Sequence, residues 1–233
     1  MMHNITIAID GFSSTGKSTV AKRLAKALGY VYVDSGAMYR AVTFYAMQKG
    51  FISKDYFHEQ QLIEHLDAIN IDFKFNKDLG FAEVYLNGEN IEKHIRTLDV
   101  SQFVSQVATV SEVREQLVLQ QQHFGKHKGV VMDGRDIGTV VFPDAELKLF
   151  MTASAEKRAQ RRYDELIERG DEVSFEDVLK NVQTRDHIDS TREDSPLTMA
   201  EDAIKVDNSN LNLDEQFEFI YNLARAKIAE CNQ

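Results

Sequence analysis

A short glycine-rich segment near the N-terminus limits what this chain can fold into. An apolar run from Ile5 to Ile9 is typical of a buried strand, and apolar side chains from Lys17 to about Leu28 recur at helical spacing. Between them the sequence matches the pattern G-x-x-x-x-G-K-S/T in full, with Gly11, Phe12, Ser13, Ser14, Thr15, Gly16, Lys17 and Ser18. Glycines let successive backbone N–H groups point inward, and the helix start adds its positive dipole end. The segment therefore predicts a loop that binds nucleotide phosphates, with Lys17 at the β- and γ-phosphates and Ser18 on Mg²⁺.

Short apolar segments recur along the rest of the chain and alternate with helical patterns. A helical stretch runs from Ala37 to about Gln48, and further apolar segments lie at residues 30–33, 129–132, 147–151 and 203–206. Strands that alternate with helices are typical of a parallel sheet covered by helices on both faces. Together with the first strand, these segments predict an α/β fold with a central five-stranded parallel sheet.

Two segments depart from this alternation. Residues 71–75 and 82–86 alternate strictly between apolar and polar side chains, and Asn87-Gly88 is a strong hairpin signal. They predict a small antiparallel insert at about residues 67–96. A second interruption, at about residues 156–172, is rich in charges of both signs, and its acidic half reads as a solvated helix face.

Composition restricts the partners and the compartment. The 233 residues include 27 Lys and Arg against 37 Asp and Glu, a formal net charge of −10. We therefore expect no nucleic acid polymer as a partner, but this net charge does not exclude a local basic pocket. The single cysteine, Cys231, excludes an internal disulfide framework and indicates a reducing cytoplasm. An apolar run of about 18 residues is absent from the sequence, so we expect no membrane span. A monomer is the default expectation.

A carboxylate follows one of the predicted buried strands. Val130, Val131 and Met132 are apolar, and Asp133 comes directly after them. Beside a phosphate-binding loop, such an aspartate is typical of the residue that holds Mg²⁺ directly or through water. The alternative is an aspartate that caps the N-terminus of a following helix.

Arginines form the next pattern. Arg158, Arg161 and Arg162 have the spacing i, i+3, i+4 and so share one helix face. If a later helix extends far enough, Arg185, Asp189 and Arg192 share another face. Each arginine alone is more simply explained by a surface salt bridge. As a set in an acidic protein, they favour a local polyphosphate site.

The sequence resembles the bacterial cytidylate (CMP) kinases over essentially its whole length. Besides the glycine-rich loop, the resemblance rests on the segments Asp34–Arg40, Ser105–Ala108 and Asp133–Pro143 and on Arg185-Asp186. The segment Asp133–Pro143 is the most specific of these. The resemblance implies a single P-loop kinase domain with a three-layer fold. Its core would comprise about residues 1–66, 97–155 and 173–233, with a monophosphate-binding β insert at about 67–96 and a helical lid at about 156–172.

The resemblance also implies roles for individual residues. ATP would lie on the loop from Gly11 to Thr19, with residues 207–210 beside the adenine. The phosphate of the monophosphate would bind Ser35, Arg40 and Arg135, its cytosine Ser105, Arg114 and Asp136, and its ribose Asp189. Arg185 and Arg192 would bridge the two phosphates, and Arg158 and Arg162 would belong to the mobile lid over ATP. Catalysis would thus rest on Lys17 and on Arg135, Arg158, Arg162, Arg185 and Arg192, and Mg²⁺ on Ser18 and, through water, Asp133.

The implied reaction is phosphoryl transfer from ATP to CMP and dCMP, with Mg²⁺ as cofactor. The accepting phosphate oxygen is already anionic at neutral pH, so no general base is required. Two alternatives stay open: a kinase for another acceptor such as UMP, AMP or shikimate, and a nucleotide-binding regulator without turnover. The sequence departs from the family at Phe12, where many members have proline, and at His187 and Ile188, which replace more polar residues.

Overall fold

The computed structural model of the chain describes residues 4–76 and 81–233. It divides the chain into two compact units, of which the first comprises Met1–Asp34 and Gln120–Gln233 and the second Ser35–Leu119. Part of the predicted insert, residues 77–80, lies outside the described residues.

The first unit contains the five-stranded parallel sheet that the sequence predicts, with strand order β2-β6-β1-β7-β8. These strands are β1 (Thr6–Gly11), β2 (Val31–Asp34), β6 (Val130–Gly134), β7 (Leu147–Thr152) and β8 (Ile204–Asp207). Every residue of β1 and β6 is buried, as expected for inner strands of a parallel sheet covered on both faces. The predicted α/β fold is confirmed.

The helices account for most of the remaining described residues. They are α1 (Lys17–Leu28), α2 (Ser35–Gln48), α3 (Glu59–Glu64), α4 (Leu98–Val107), α5 (Ser111–Gly125), α6 (Ala155–Glu168), α7 (Phe175–Thr191) and α8 (Leu213–Cys231). A π-helical turn, Ile137–Val141, follows β6. Over the described ranges, none of these helices combines the length and apolarity that crossing a membrane requires.

The apolar core of the first unit holds the sheet against α1 and α8. Ile9 and Leu149 from neighbouring strands are buried together with Val20, Leu24 and Ile220 from these helices. Because β1, β6 and β7 are parallel, their carboxyl ends meet at one edge, where Asp10 pairs in register with Gly134 and Phe150. This edge is where ligands bind in open α/β sheets.

The second unit has its own core and its own small antiparallel sheet, ordered β3-β4-β5, which the sequence also predicted as an antiparallel insert. Its strands are β3 (Ile71–Asn76), β4 (Phe81–Leu86) and β5 (Glu89–Asn90). The Asn87-Gly88 pair forms a two-residue turn with φ angles of 50° and 88°, as a type I′ hairpin requires. It joins β4 to a short third strand that the sequence pattern did not indicate.

Candidate active site

The glycine-rich loop leaves β1 at its carboxyl end and enters α1, as the sequence predicted. Gly11 has a φ of 140°, and a Cβ atom there would lie 2.0 Å from the carbonyl oxygen of Met151, so only glycine fits. At the other end Gly16 caps α1 without a side-chain hydrogen bond. The first N–H groups of the helix therefore have no side-chain cap and can bind an anion.

Lys17 is buried at the start of α1, and its ammonium group lies on the loop itself. Nζ donates to the carbonyl oxygens of Gly11 and Phe12 at 2.8 and 2.6 Å and to the hydroxyl of Thr15 at 3.3 Å. Burial lowers the pKa of Lys17 well below its usual value, and the charge of Arg135 lowers it further. Asp133 and Asp10 oppose this shift without outweighing it, so an anionic ligand at the loop would stabilise the ammonium form of Lys17.

Ser18 and Asp133 lie together, as the sequence predicts for a magnesium site. The Ser18 hydroxyl donates to Asp133 Oδ2 at 2.9 Å, and the Tyr32 hydroxyl donates to Oδ1 at 2.7 Å. Burial and the nearby charge of Asp34 raise the pKa of Asp133 to about 6. Asp133 lies inside β6 and does not cap a helix, so the alternative role considered for it is wrong. Hydroxyl and carboxylate oxygens are the donors that Mg²⁺ prefers, so these residues fit the ion.

The turn after β6 is held by a buried carboxylate that sequence reasoning did not assign to the site. Asp10 Oδ1 and Oδ2 accept from the backbone N–H groups of Ile137 and Gly138 at 2.8 and 2.7 Å. A Cβ atom on Gly138 would lie 3.2 Å from Asp10 Oδ2, so glycine allows the close approach. Asp136 is buried at the start of this turn, and its side chain does not cap it. Asp10 therefore positions the backbone that carries Arg135 and Asp136.

We expect wild-type protein to lose stability relative to an Asp10→Asn variant as pH rises. Burial raises the pKa of Asp10 from 3.8 to about 7, outweighing its two backbone hydrogen bonds; Asp136 adds to the increase and Lys17 opposes it. Between these values the folded chain retains a proton that the unfolded chain releases, so folding becomes less favourable with rising pH. Asparagine has no such proton. The difference in unfolding free energy between the two proteins should change by up to about 4 kcal/mol.

Chemical denaturation of both proteins at several values between about pH 4 and about pH 8 measures this difference. Titrations of groups that do not interact with Asp10 are common to both proteins and cancel in the comparison. Parallel stability profiles would show that Asp10 does not titrate in this range.

Arginines from α6 and α7 converge on the loop. Arg185 Nη1 donates to the Ser13 hydroxyl at 2.7 Å, and Arg158 Nη1 donates to the Ser13 carbonyl oxygen at 3.2 Å. Arg135 Nε donates to Asp189 Oδ2 at 2.8 Å. Burial, followed by the charge of Arg135, lowers the pKa of Arg185 to about 10. Arg162 is buried on the same helix as Arg158 and pairs with Glu165.

The predicted helical face formed by Arg185, Asp189 and Arg192 is only partly correct. Helix α7 ends at Thr191, and Arg192 has an extended backbone with φ −61° and ψ 146°. Its guanidinium donates to the carbonyl oxygen of Ser195 at 2.9 and 2.6 Å. Burial raises the pKa of Asp189, but Arg135, Arg185 and Arg192 outweigh it and hold that pKa below its usual value. The tertiary fold rather than helix continuity brings these charges together.

The segment after β8 contacts the other end of the loop. Asn208 is fully buried, and its Nδ2 donates to the Thr15 carbonyl oxygen at 2.6 Å. Arg161 donates to the side chain and the backbone of Asn208 at 3.1 and 2.8 Å. The resemblance implies that residues 207–210 lie beside the adenine, which stays a prediction; the structure shows that Asn208 contacts the loop.

The remaining sequence-predicted residues belong to the second unit. They are Ser35, Arg40, Ser105 and Arg114, of which all but Arg40 are buried. Arg40 donates to Ser101 Oγ at 2.9 Å and to the Ile95 carbonyl oxygen at 3.2 Å. Arg114 donates to the Ala108 carbonyl oxygen at 3.1 Å, and its guanidinium lies 5.5 Å from the ring centroid of Tyr39.

Sequence reasoning did not assign a role to Asp10, Tyr32 or Asp186, the last of which forms a two-fold hydrogen bond with Arg158. Asp10 and Tyr32 each interrupt an apolar strand with a polar group near its carboxyl end, and this signal could have marked them. Asp186 follows Arg185 directly in the sequence, but nothing in the sequence identifies Arg158 as its partner.

A family model and the most similar curated proteins that we compared all indicate the same family. The family model described as "Cytidylate kinase" matches residues 7–226. The cytidylate kinase of Flavobacterium johnsoniae is 68% identical over 95% of this chain and 96% of its own length. The cytidylate kinase of Flavobacterium psychrophilum is 63% identical over 95% and 98%, and that of Bacteroides fragilis 57% identical over 94% and 96%. With a matching family model across nearly its whole length and relatives this similar, the chain belongs to the cytidylate kinase family.

Proposed function

We propose that this protein transfers the γ-phosphoryl group of ATP to the phosphate of CMP or dCMP and releases ADP and the nucleoside diphosphate. The observation that carries the proposal is a cluster of three cations at the glycine-rich loop, of which Lys17 and Arg185 are buried and Arg135 is half-buried. Burial lowers the pKa of both Lys17 and Arg185, and the charge of Arg135 lowers each further; nearby aspartates oppose these shifts without outweighing them. Cations that repel one another in a buried site gain most from a polyanionic ligand. Two phosphate groups facing each other are such a ligand.

The proposed mechanism rests on alignment and charge neutralisation. An anionic oxygen of the CMP phosphate forms a bond to the γ-phosphorus as the bond from that phosphorus to the β–γ bridging oxygen breaks. Backbone N–H groups of the loop, Lys17 and the arginines Arg135, Arg185, Arg192 and Arg162 would stabilise the charge that spreads over the transferred group. Because ADP leaves as an anion, no side chain has to supply a proton to it.

The residues that resemble the CMP site of the family supply the acceptor contacts in this proposal. Ser35, Arg40 and Arg135 would bind its phosphate and Asp189 its ribose. Ser105, Arg114 and Asp136 would recognise cytosine. The ion pair of Arg135 with Asp189 is compatible with this assignment, because it holds the two residues proposed for the phosphate and the ribose next to each other.

Ser18 and Asp133 are the residues that would hold Mg²⁺, with Asp133 acting through water. When bound, the ion neutralises charge on the β- and γ-phosphates. Ser18 and Tyr32 keep the Asp133 carboxylate oriented through their hydrogen bonds. A cytoplasmic location and a monomeric state stay predictions; the exposed, unpaired Cys231 suits a reducing compartment.

ADP production with a panel of acceptors tests the proposal. We expect CMP and dCMP to be phosphorylated with the highest kcat/KM, UMP and AMP far less well, and shikimate not at all, since shikimate has no base for Ser105, Arg114 and Asp136 to recognise. A preference for another acceptor would identify a different kinase. Tight ATP binding without ADP production from any acceptor would favour the nucleotide-binding regulator.

A further inference from the structure

We propose that Phe12, Arg158 and Asp186 form a clamp that positions the phosphate-binding loop, with Phe12 and Asp186 acting through the guanidinium of Arg158. We call these three residues the Phe12 clamp. The inference rests on the proposed function, because the loop it positions is the one that would hold ATP. It also gives Arg158 a different role from that of a lid arginine that contacts the transferred phosphate.

The guanidinium of Arg158 is held by protein groups on several sides. Nε donates to the Ala153 carbonyl oxygen at 2.9 Å and Nη1 to the Ser13 carbonyl oxygen at 3.2 Å. Nη1 and Nη2 also donate to the two carboxylate oxygens of Asp186 at 2.9 and 2.6 Å. These bonds use four of the five N–H donors of an arginine whose exposure is only 4%. Arg158 is therefore fixed between α7 and the loop.

Phe12 lies against the same guanidinium. Its ring centroid is 5.1 Å from the Arg158 Cζ atom, within the range of a cation–π contact. Its ring also packs edge-on against Phe150 in β7, with centroids 6.0 Å apart and an interplanar angle of 83°. These two ring contacts restrain the loop at this position.

The position of Phe12 matters because its backbone contacts the catalytic lysine. The Phe12 carbonyl oxygen accepts from Lys17 Nζ at 2.6 Å, and the Ser13 hydroxyl accepts from Arg185 Nη1 at 2.7 Å. A shift of this corner of the loop would thus move acceptors of two cations that face the phosphates. Small displacements of such groups lower catalytic rates strongly.

Asp186→Asn, Phe12→Leu and the double variant test the clamp. We expect kcat/KM for ATP to fall about tenfold in Asp186→Asn, because a buried arginine loses its charged partner. Phe12→Leu should lower it about threefold. The double variant should resemble Asp186→Asn alone, since both residues act through Arg158 and their effects are not independent. The KM for CMP should stay within twofold of wild type in all three.

Matched controls separate positioning from general damage. Phe12→Tyr keeps both ring contacts and should retain wild-type kcat/KM. Phe175→Leu removes a ring that packs on Tyr163, so it alters the contact between α6 and α7 without touching the loop. It should leave kcat/KM for ATP within twofold of wild type. If Asp186→Asn does not fold, the Phe12→Leu and Phe12→Tyr pair still decides the question.

Three results would overturn the clamp: multiplied effects of about thirtyfold in the double variant, equal activity of Phe12→Leu and Phe12→Tyr, or a parallel rise of KM for ATP and CMP. Failure of the proposed function has a different signature, because wild-type protein would then not phosphorylate CMP. In that case the clamp is tested by the dissociation constant of ATP, measured by equilibrium dialysis without any acceptor. This constant should rise in Asp186→Asn and Phe12→Leu, rise no further in the double variant, and stay at the wild-type value in Phe12→Tyr.

Discussion

A Lys17→Met variant is expected to fold and to lose about 10³-fold in kcat. The expected loss follows from the removal of a cation that would face the β- and γ-phosphates in the transition state. Methionine has a similar length and is apolar, so it can occupy the buried position. The carbonyl oxygens of Gly11 and Phe12 lose a donor, at a cost of about 1–3 kcal/mol, but the cost of burying an ammonium group disappears as well.

Circular dichroism and the melting temperature report whether the variant folds, and a coupled assay of ADP formation reports its turnover. Lys26→Met is the matched control, because Lys26 lies in the last turn of the same helix and is exposed. It should keep wild-type kcat within twofold. Near-normal turnover in a folded Lys17→Met protein would contradict the role of Lys17 in phosphoryl transfer.

The second large effect concerns the choice of base, and it depends on Asp136. Cytosine presents an amino donor at N4 and an acceptor at N3, whereas uracil presents an acceptor at O4 and a donor at N3. An ionised Asp136 can accept from the amino group, Arg114 can donate to N3 or O2, and the Ser105 hydroxyl can do either. Uracil would leave buried polar groups without partners, at about 1–3 kcal/mol each. We therefore expect CMP to be preferred over UMP by about 10²-fold or more in kcat/KM.

Asp136→Ala should lower kcat/KM for CMP by about 10- to 100-fold and leave kcat/KM for UMP nearly unchanged. The preference for CMP over UMP, taken as the ratio of the two kcat/KM values, should therefore decrease. The structure argues against one simpler role for this carboxylate, that of a helix cap. Its side chain does not cap the turn Ile137–Val141, whose first two N–H groups bind Asp10.

Steady-state measurements of kcat/KM with CMP and with UMP test whether Asp136 recognises the base. Asp144→Ala provides the control, because Asp144 is an exposed aspartate shortly after the same turn and should leave both values unchanged. Equal losses for CMP and UMP in Asp136→Ala would show that Asp136 supports the fold of the site without reading the base.

The alternation of strands and helices, the glycine-rich loop and the hairpin were predictable because each depends on neighbours in the sequence. Gly11 and Gly16 meet a local backbone requirement, and Asn87-Gly88 meets that of a tight turn with positive φ angles. Helix α1 begins and ends where the sequence predicts, since Gly29 in the left-handed region closes it. These features follow from conformational preferences that a few adjacent residues determine.

Contacts between distant side chains were not predictable in this way. Asp10 binds a turn 127 residues away, Tyr32 binds Asp133 across 101 residues, and Asn208 binds Thr15 across 193. The order and register of the parallel strands bring these groups together, and neither quantity appears in local periodicity. Arg158 illustrates the difference. Its spacing from Arg161 and Arg162 predicts a shared helix face, but only the packing of α6 against α7 and the loop brings its guanidinium within hydrogen-bond distance of Asp186 and Ser13. The sequence alone thus determined which residue types can bind phosphate and where the loop lies, whereas the tertiary structure decided which of them hold the loop in place, because buried charges take the partners that the packed elements bring within reach.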